Sequence, residues 1–173
     1  DFVKDLNYGD NGVWHQSISG SSIIKPISLS LLLQYKEGEF IKNDFIERVI
    51  KDLRDDNNRT IHFVALTGLG KTRILLEAFD DGLSHQNHYY CEFSDNKTGL
   101  LYDIDSIITE HKGENGLIIL DNCPNIVFEK AVYIRDKYAS RFRIIGVNNE
   151  YYDRNSLQIK YCIQIPLEPI NTR

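Results

Sequence analysis

Two groups of residues have types and spacing that can do chemistry together. The first is Gly68, Gly70, Lys71 and Thr72, within TGLGKT at residues 67–72. The second is Asp121, which ends the apolar run LIILD at residues 117–121. Glycine is costly inside a strand or a helix, so two of them in one short turn point to an unusual φ or to a close approach by another group. Backbone N–H groups of such a turn, followed by a helix N-terminus, form a cradle for an anion such as a phosphate chain. Lys71 adds positive charge for β- and γ-phosphates, and the Thr72 hydroxyl is a magnesium ligand. Magnesium calls for a further carboxylate, and Asp121 at the C-terminal end of a neighbouring strand can supply it. The nucleotide-contacting set is therefore Thr67, Gly68, Leu69, Gly70, Lys71, Thr72 and Arg73, with Thr72 and Asp121 as metal ligands. Arg73 either touches a phosphate or an adjoining domain or faces solvent from the helix.

These residues need a strand before the turn and a helix after it. IHFVAL at residues 61–66 reads as the strand, and KTRILLEAF as the helix, with Ile74, Leu75, Ala78 and Phe79 on one side and Gly82 as its stop. Upstream, NDFIERVIKDLRDD is a helix with Phe45, Ile46, Val49, Ile50 and Leu53 at helical spacing and Asn43 or Asp44 as N-cap. Downstream, HYYCEF, GLIIL, FRIIGV and YCIQIPL read as strands, with helices over GLLYDIDSIITEHKG and NIVFEKAVYIRDKYAS. In the second of these helices Val127, Ala131, Ile134 and Tyr138 share a face. Wholly apolar strands alternating with helices predict a three-layer α/β sandwich around a five-stranded parallel sheet, with the ligand at the C-terminal ends of the strands.

The rest of the composition narrows the function. The 173 residues suit one domain with a real core, and 42% hydrophobic with 26% charged residues is an ordinary globular profile. No apolar run reaches the roughly 20 residues that span a bilayer. A net charge of −5 argues against a main nucleic-acid surface, which needs clustered Lys and Arg. Cys91, Cys123 and Cys162 are far apart and odd in number, which suits reduced thiols in a cytoplasmic protein better than a disulfide or zinc framework. His85 and His88 lack a second pair of ligands nearby. Residues 1–37 read as a linker or N-terminal extension before a domain at 38–173, its first 26 residues rich in Asn, Gly and Ser and carrying Trp14; SLSLLLQY after them is either a short helix or a buried strand. The chain has no methionine, and is read as a piece of something longer.

Loop, strand-ending aspartate and element order together resemble the P-loop NTPases that carry an inserted strand between their two Walker motifs. TGLGKTRILLEAF, LIILDNCP, FIKNDFIERVIKDL, RFRIIGVNNE and IQIPLEPI look most like the phosphate loop, Walker B strand, upstream helix, sensor strand and last core strand of the STAND class, the NACHT and AP-ATPase signalling switches. The likeness covers about residues 38 to 170. It implies ATP or ADP with magnesium as ligands, a helical lid following this segment, other domains of a longer chain as partners, and a homo-oligomer on activation. Several bacterial members are antiviral sensors. Lys71, Asp121 and Asn148 are then the catalytic set. Asn148 either bonds the γ-phosphate or the attacking water, or is a turn asparagine. The absence of an Asn-Lys-x-Asp motif favours adenine over guanine.

Three departures bear on activity. Ala65 stands where the strict G-x-x-x-x-G-K-[ST] pattern begins with glycine. Asn122 follows Asp121 where related fast ATPases place an acid, and an amide accepts no proton from water, so slow hydrolysis or a base elsewhere, such as Glu77 or Glu150, is implied. Lys42-Asn43 replaces an upstream Gly-Arg pair. Two functions follow: a slowly hydrolysing ATP switch, or a nucleotide-free protein-interaction module on the same sheet.

Overall fold

The computed structural model describes residues 25–26, 43–65, 69–79, 87–93, 99–149 and 163–167. Thr67, Gly68, Gly82, His85, Glu150, Cys162, Lys42, Trp14 and the run SLSLLLQY lie outside these residues. In chain order the elements are β1 (Lys25–Pro26), α1 (Asp44–Arg54), β2 (Thr60–Ala65), α2 (Lys71–Ala78), β3 (His88–Glu92), α3 (Leu100–Glu110), β4 (Asn115–Asp121), α4 (Asn125–Lys137), β5 (Arg141–Asn148) and β6 (Ile163–Leu167).

The sheet runs β1-β3-β4-β5-β2-β6. The pairs β3–β4, β4–β5, β5–β2 and β2–β6 are parallel. A five-stranded, wholly parallel sheet is therefore not the full description, because β1 pairs antiparallel with β3 at one edge. Pro26 in that strand has no N–H to offer a ladder, and an edge is where such a residue is tolerated. In space β5 lies between β2 and β4, although in sequence it follows both.

Both faces of the sheet are buried, as its apolar strands require. Along β4, Leu117 and Ile119 point to one side and join Ile61, Phe63, Ile145 and Val147 beneath α1 and α2. Ile118 and Leu120 point to the other side and join Cys91, Phe142 and Ile144 beneath α3 and α4. The period of two residues thus divides the protein into three layers.

The helices follow their sequence signals with two differences. Asn43 caps α1: its Oδ1 accepts the Ile46 N–H at 2.9 Å. Ile46, Val49, Ile50 and Leu53 are buried as spaced, whereas Phe45 sits on the margin of the stripe and is 38% exposed. In α4 the buried set is Phe128, Ala131, Val132, Ile134 and Arg135, and Val127 and Tyr138 are half-buried against the same core, so the inward face includes the expected Val127–Ala131–Ile134–Tyr138 line and extends beyond it on the Phe128 side. Phe128 is fully buried on that side. Its ring lies over Gly146 of β5, where a Cβ would stand 2.4 Å from Phe128 Cδ2. The ring also stacks on His62 with centroids 5.4 Å apart.

Candidate functional site

Parallel strands place their C-terminal ends on one rim, and β2, β4 and β5 meet there beside the start of α2. Gly70 leads into that helix with φ of +73°. Among the described residues no atom would crowd a Cβ at this position, so it is the backbone angle that calls for glycine here. The Gly70 carbonyl accepts the Ile74 N–H at 2.9 Å, which closes the first helical turn. The amides before that bond have no partner within the helix, and with the helix dipole they favour an anion. Leu69 packs against the core beneath and so fixes the direction in which the turn leaves it.

Lys71 is 7% exposed although it carries an ammonium group. Its Nζ donates to Oδ1 of Asn149 at 2.6 Å. Burial lowers its pKa from the ordinary lysine value, and the negative charge of Asp121 partly opposes that shift. A desolvated ammonium close to one carboxylate is well placed to gain from further negative charge.

Asp121 is 2% exposed and holds the centre of the rim. Its Oδ2 accepts from the Thr72 hydroxyl at 2.5 Å and from the Tyr90 hydroxyl at 2.8 Å. Its Oδ1 accepts the Asn122 N–H at 2.9 Å. Asn122 adopts φ of +52°, a left-handed conformation that asparagine tolerates better than most residues and that turns its own N–H back onto the carboxylate. Thr72 and Asp121, 49 residues apart in the chain, are thus in direct contact on one rim, with Lys71 next to Thr72 and within reach of the carboxylate's field. A hydroxyl and a carboxylate are hard oxygen donors that suit magnesium, which keeps several waters and takes phosphate oxygens to complete its shell. Among the described residues no three His, Cys, Asp or Glu side chains form an all-protein metal cage.

The remaining expected residues divide by strand parity. Asn148 shares the face of Ile144 and Gly146, and its Nδ2 donates to Oδ1 of Asn125 at 2.7 Å, on the α4 side. Asn149 continues the line of Ile145 and Val147 and reaches Lys71 on the α2 side. The side chain that meets the lysine is Asn149, which the sequence reading did not single out. Arg73 forms an i,i+4 ion pair with Glu77, Nε to Oε1 3.0 Å, and both side chains are largely shielded from solvent, 18% and 12% exposed. Tyr90 escapes a motif search because it lies in the middle of an ordinary strand. The signal that finds it is the two-residue offset from Glu92, which sits opposite Asp121 in the β3–β4 register.

No family model and no curated protein sequence matches the chain. Among solved structures it resembles C. elegans PCH-2, with a TM-score of 0.51 and 12% identity over 73% of this chain and 42% of that one. It also aligns with Rhizobiales Trip13, with a TM-score of 0.47 and 12% identity over 83% of this chain and 67% of that one. The chain spans less than half the length of PCH-2. At such identity the likeness to PCH-2 is one of fold alone, a mostly parallel α/β sheet with helices on both faces.

Proposed function

We propose that the chain is the ATP-binding domain of a nucleotide switch, hydrolysing slowly and belonging to a longer STAND-like signalling ATPase. The observation that carries this is the contact of Thr72 with Asp121 on the rim where Lys71 is buried. The position of β5 between β2 and β4 supports the inserted-strand class of P-loop NTPases. In this reading the amides of residues 67–72 and the Lys71 ammonium bind the phosphates, and Asn149 orients the ammonium toward them. Thr72 and Asp121 would hold magnesium, which when bound supplies positive charge that stabilises the transferring phosphoryl group. Tyr90 and the Asn122 N–H keep the Asp121 carboxylate in one orientation. Helical lid, sensing and effector functions belong to other domains of the longer protein, an antiviral role in bacteria is one the resemblance suggests, and assembly into a homo-oligomer would accompany activation.

Isothermal titration with ATP and magnesium tests the proposal. The expected result is saturable binding by the wild type that Lys71→Ala weakens at least tenfold. Equal affinity in the two proteins refutes it. The interaction-module reading has its own support in Ala65 and Asn122, and a wild type that binds no nucleotide would favour it.

A further inference from the structure

Hydrolysis needs a group that takes a proton from water, and the residue following Asp121 is an amide. We propose that Glu92, at the end of β3, is the general base of this site. The proposal rests on the nucleotide-binding reading above and names the residue that reading leaves open.

Four observations place Glu92 there. Its Cα is the partner of Asp121 across the parallel β3–β4 ladder. Partnered residues of a parallel ladder present their side chains on the same face. For this pair it is the face of Tyr90 and Ile119, which α1 and α2 cover and on which Thr72, Lys71 and Asn149 gather. Second, the strand ends are tied together, since the Phe93 N–H donates to the Asp121 carbonyl at 2.8 Å. Third, Oε1 of Glu92 stands 3.5 Å from Nδ2 of Asn122, at the outer limit of a hydrogen bond, so the carboxylate lies beside the very position that lacks an acid. Fourth, the two carboxylates differ in environment. Asp121 is buried and accepts from Thr72, Tyr90 and the Asn122 N–H, which suits a fixed ligand. Glu92 is exposed to solvent, where water can reach it. The other described glutamate considered as base, Glu77, is on the second turn of α2 and is ion-paired with Arg73.

The step balances with water as the only co-reactant. A Glu92 carboxylate oxygen takes one proton from water as the water oxygen bonds to the γ-phosphorus. The bond from that phosphorus to the β–γ bridging oxygen breaks, and its electron pair leaves with ADP. Orthophosphate is the second product, and the proton on Glu92 returns to solvent.

The test uses the full chain and two readouts: affinity for ATP with magnesium by titration calorimetry, and single-turnover hydrolysis of γ-labelled ATP. Glu92→Gln is expected to leave the affinity within about twofold and to slow hydrolysis by about 100-fold or more, the usual contribution of a general base. Glu92→Asp, which keeps the carboxylate but withdraws it by one methylene, is expected to fall between the two. Retained binding with equal hydrolysis in wild type and Glu92→Gln, including equal absence of it, overturns the assignment of the base alone. Failure of the wild type to bind ATP overturns the nucleotide-binding reading and this proposal with it.

Discussion

His62 provides a quantitative test of how the sheet is packed. It lies in β2 on the α4 side, is 1% exposed, and stacks on Phe128. Burial in that layer lowers its pKa from 6.5 to about 4. The unfolded chain therefore takes up a proton as pH falls below 6.5, while the folded chain stays neutral until about pH 4. Through that window the unfolded state binds more protons, so stability falls as pH falls. A shift of about 2.5 pH units at 1.36 kcal/mol per unit has a limiting value of about 3 kcal/mol, of which about 2 kcal/mol is lost between pH 7 and pH 5. The assay is urea unfolding of wild type and His62→Leu at half-unit intervals from pH 7 to pH 4. Subtracting the leucine curve removes the carboxylates, which titrate in both proteins. The wild type is expected to lose about 2–3 kcal/mol more than the variant across the window. Parallel curves would show that His62 carries no such penalty and that its layer is wetter or looser than described.

Two further outcomes follow from the same geometry. Asn149→Ala is expected to weaken ATP binding by about three- to tenfold through loss of a hydrogen bond to a charged partner, while Asn148→Ala, which faces Asn125, changes it by less than about twofold; titration of both variants separates the two asparagines. Gly146→Ala forces the Phe128 ring from its seat and should cost about 1–3 kcal/mol in urea unfolding, with partial recovery in Gly146→Ala/Phe128→Leu.

Much of the fold is legible in the chain because its signals are local. Asn43 ahead of an amphipathic run, apolar four- to six-residue stretches, and glycine at the head of α2 each act within a few residues. The full width of the α4 face is harder to read, since Phe128 is seated over a glycine in β5, 18 residues later, a contact no local pattern encodes. At the site, Lys71, Thr72 and Asp121 stand out by type and context. Asn149 needs strand parity to be carried past the end of β5, and Tyr90 and Glu92 need the register of β3 against β4, a long-range pairing that no local pattern encodes. The antiparallel Lys25–Pro26 strand is too short to have a period at all.

At the opposite ends of the strands, arginines bind main-chain carbonyls. Arg135, 5% exposed, donates from Nη1 to the Arg59 carbonyl and to the Thr60 hydroxyl, each at 2.7 Å. Arg143 donates to the Leu53 carbonyl at 2.5 Å and the Asn58 carbonyl at 3.1 Å, and Arg59 donates to the Ser140 carbonyl. Burial lowers the pKa of both Arg135 and Arg143, yet a guanidinium keeps its charge under all ordinary conditions. These cations therefore act as rivets whose strength does not vary with pH. One end of the sheet is clamped by permanent charge, so rearrangement on binding would be concentrated at the other end, where Lys71, Thr72 and Tyr90 donate to side-chain oxygens of Asn149 and Asp121.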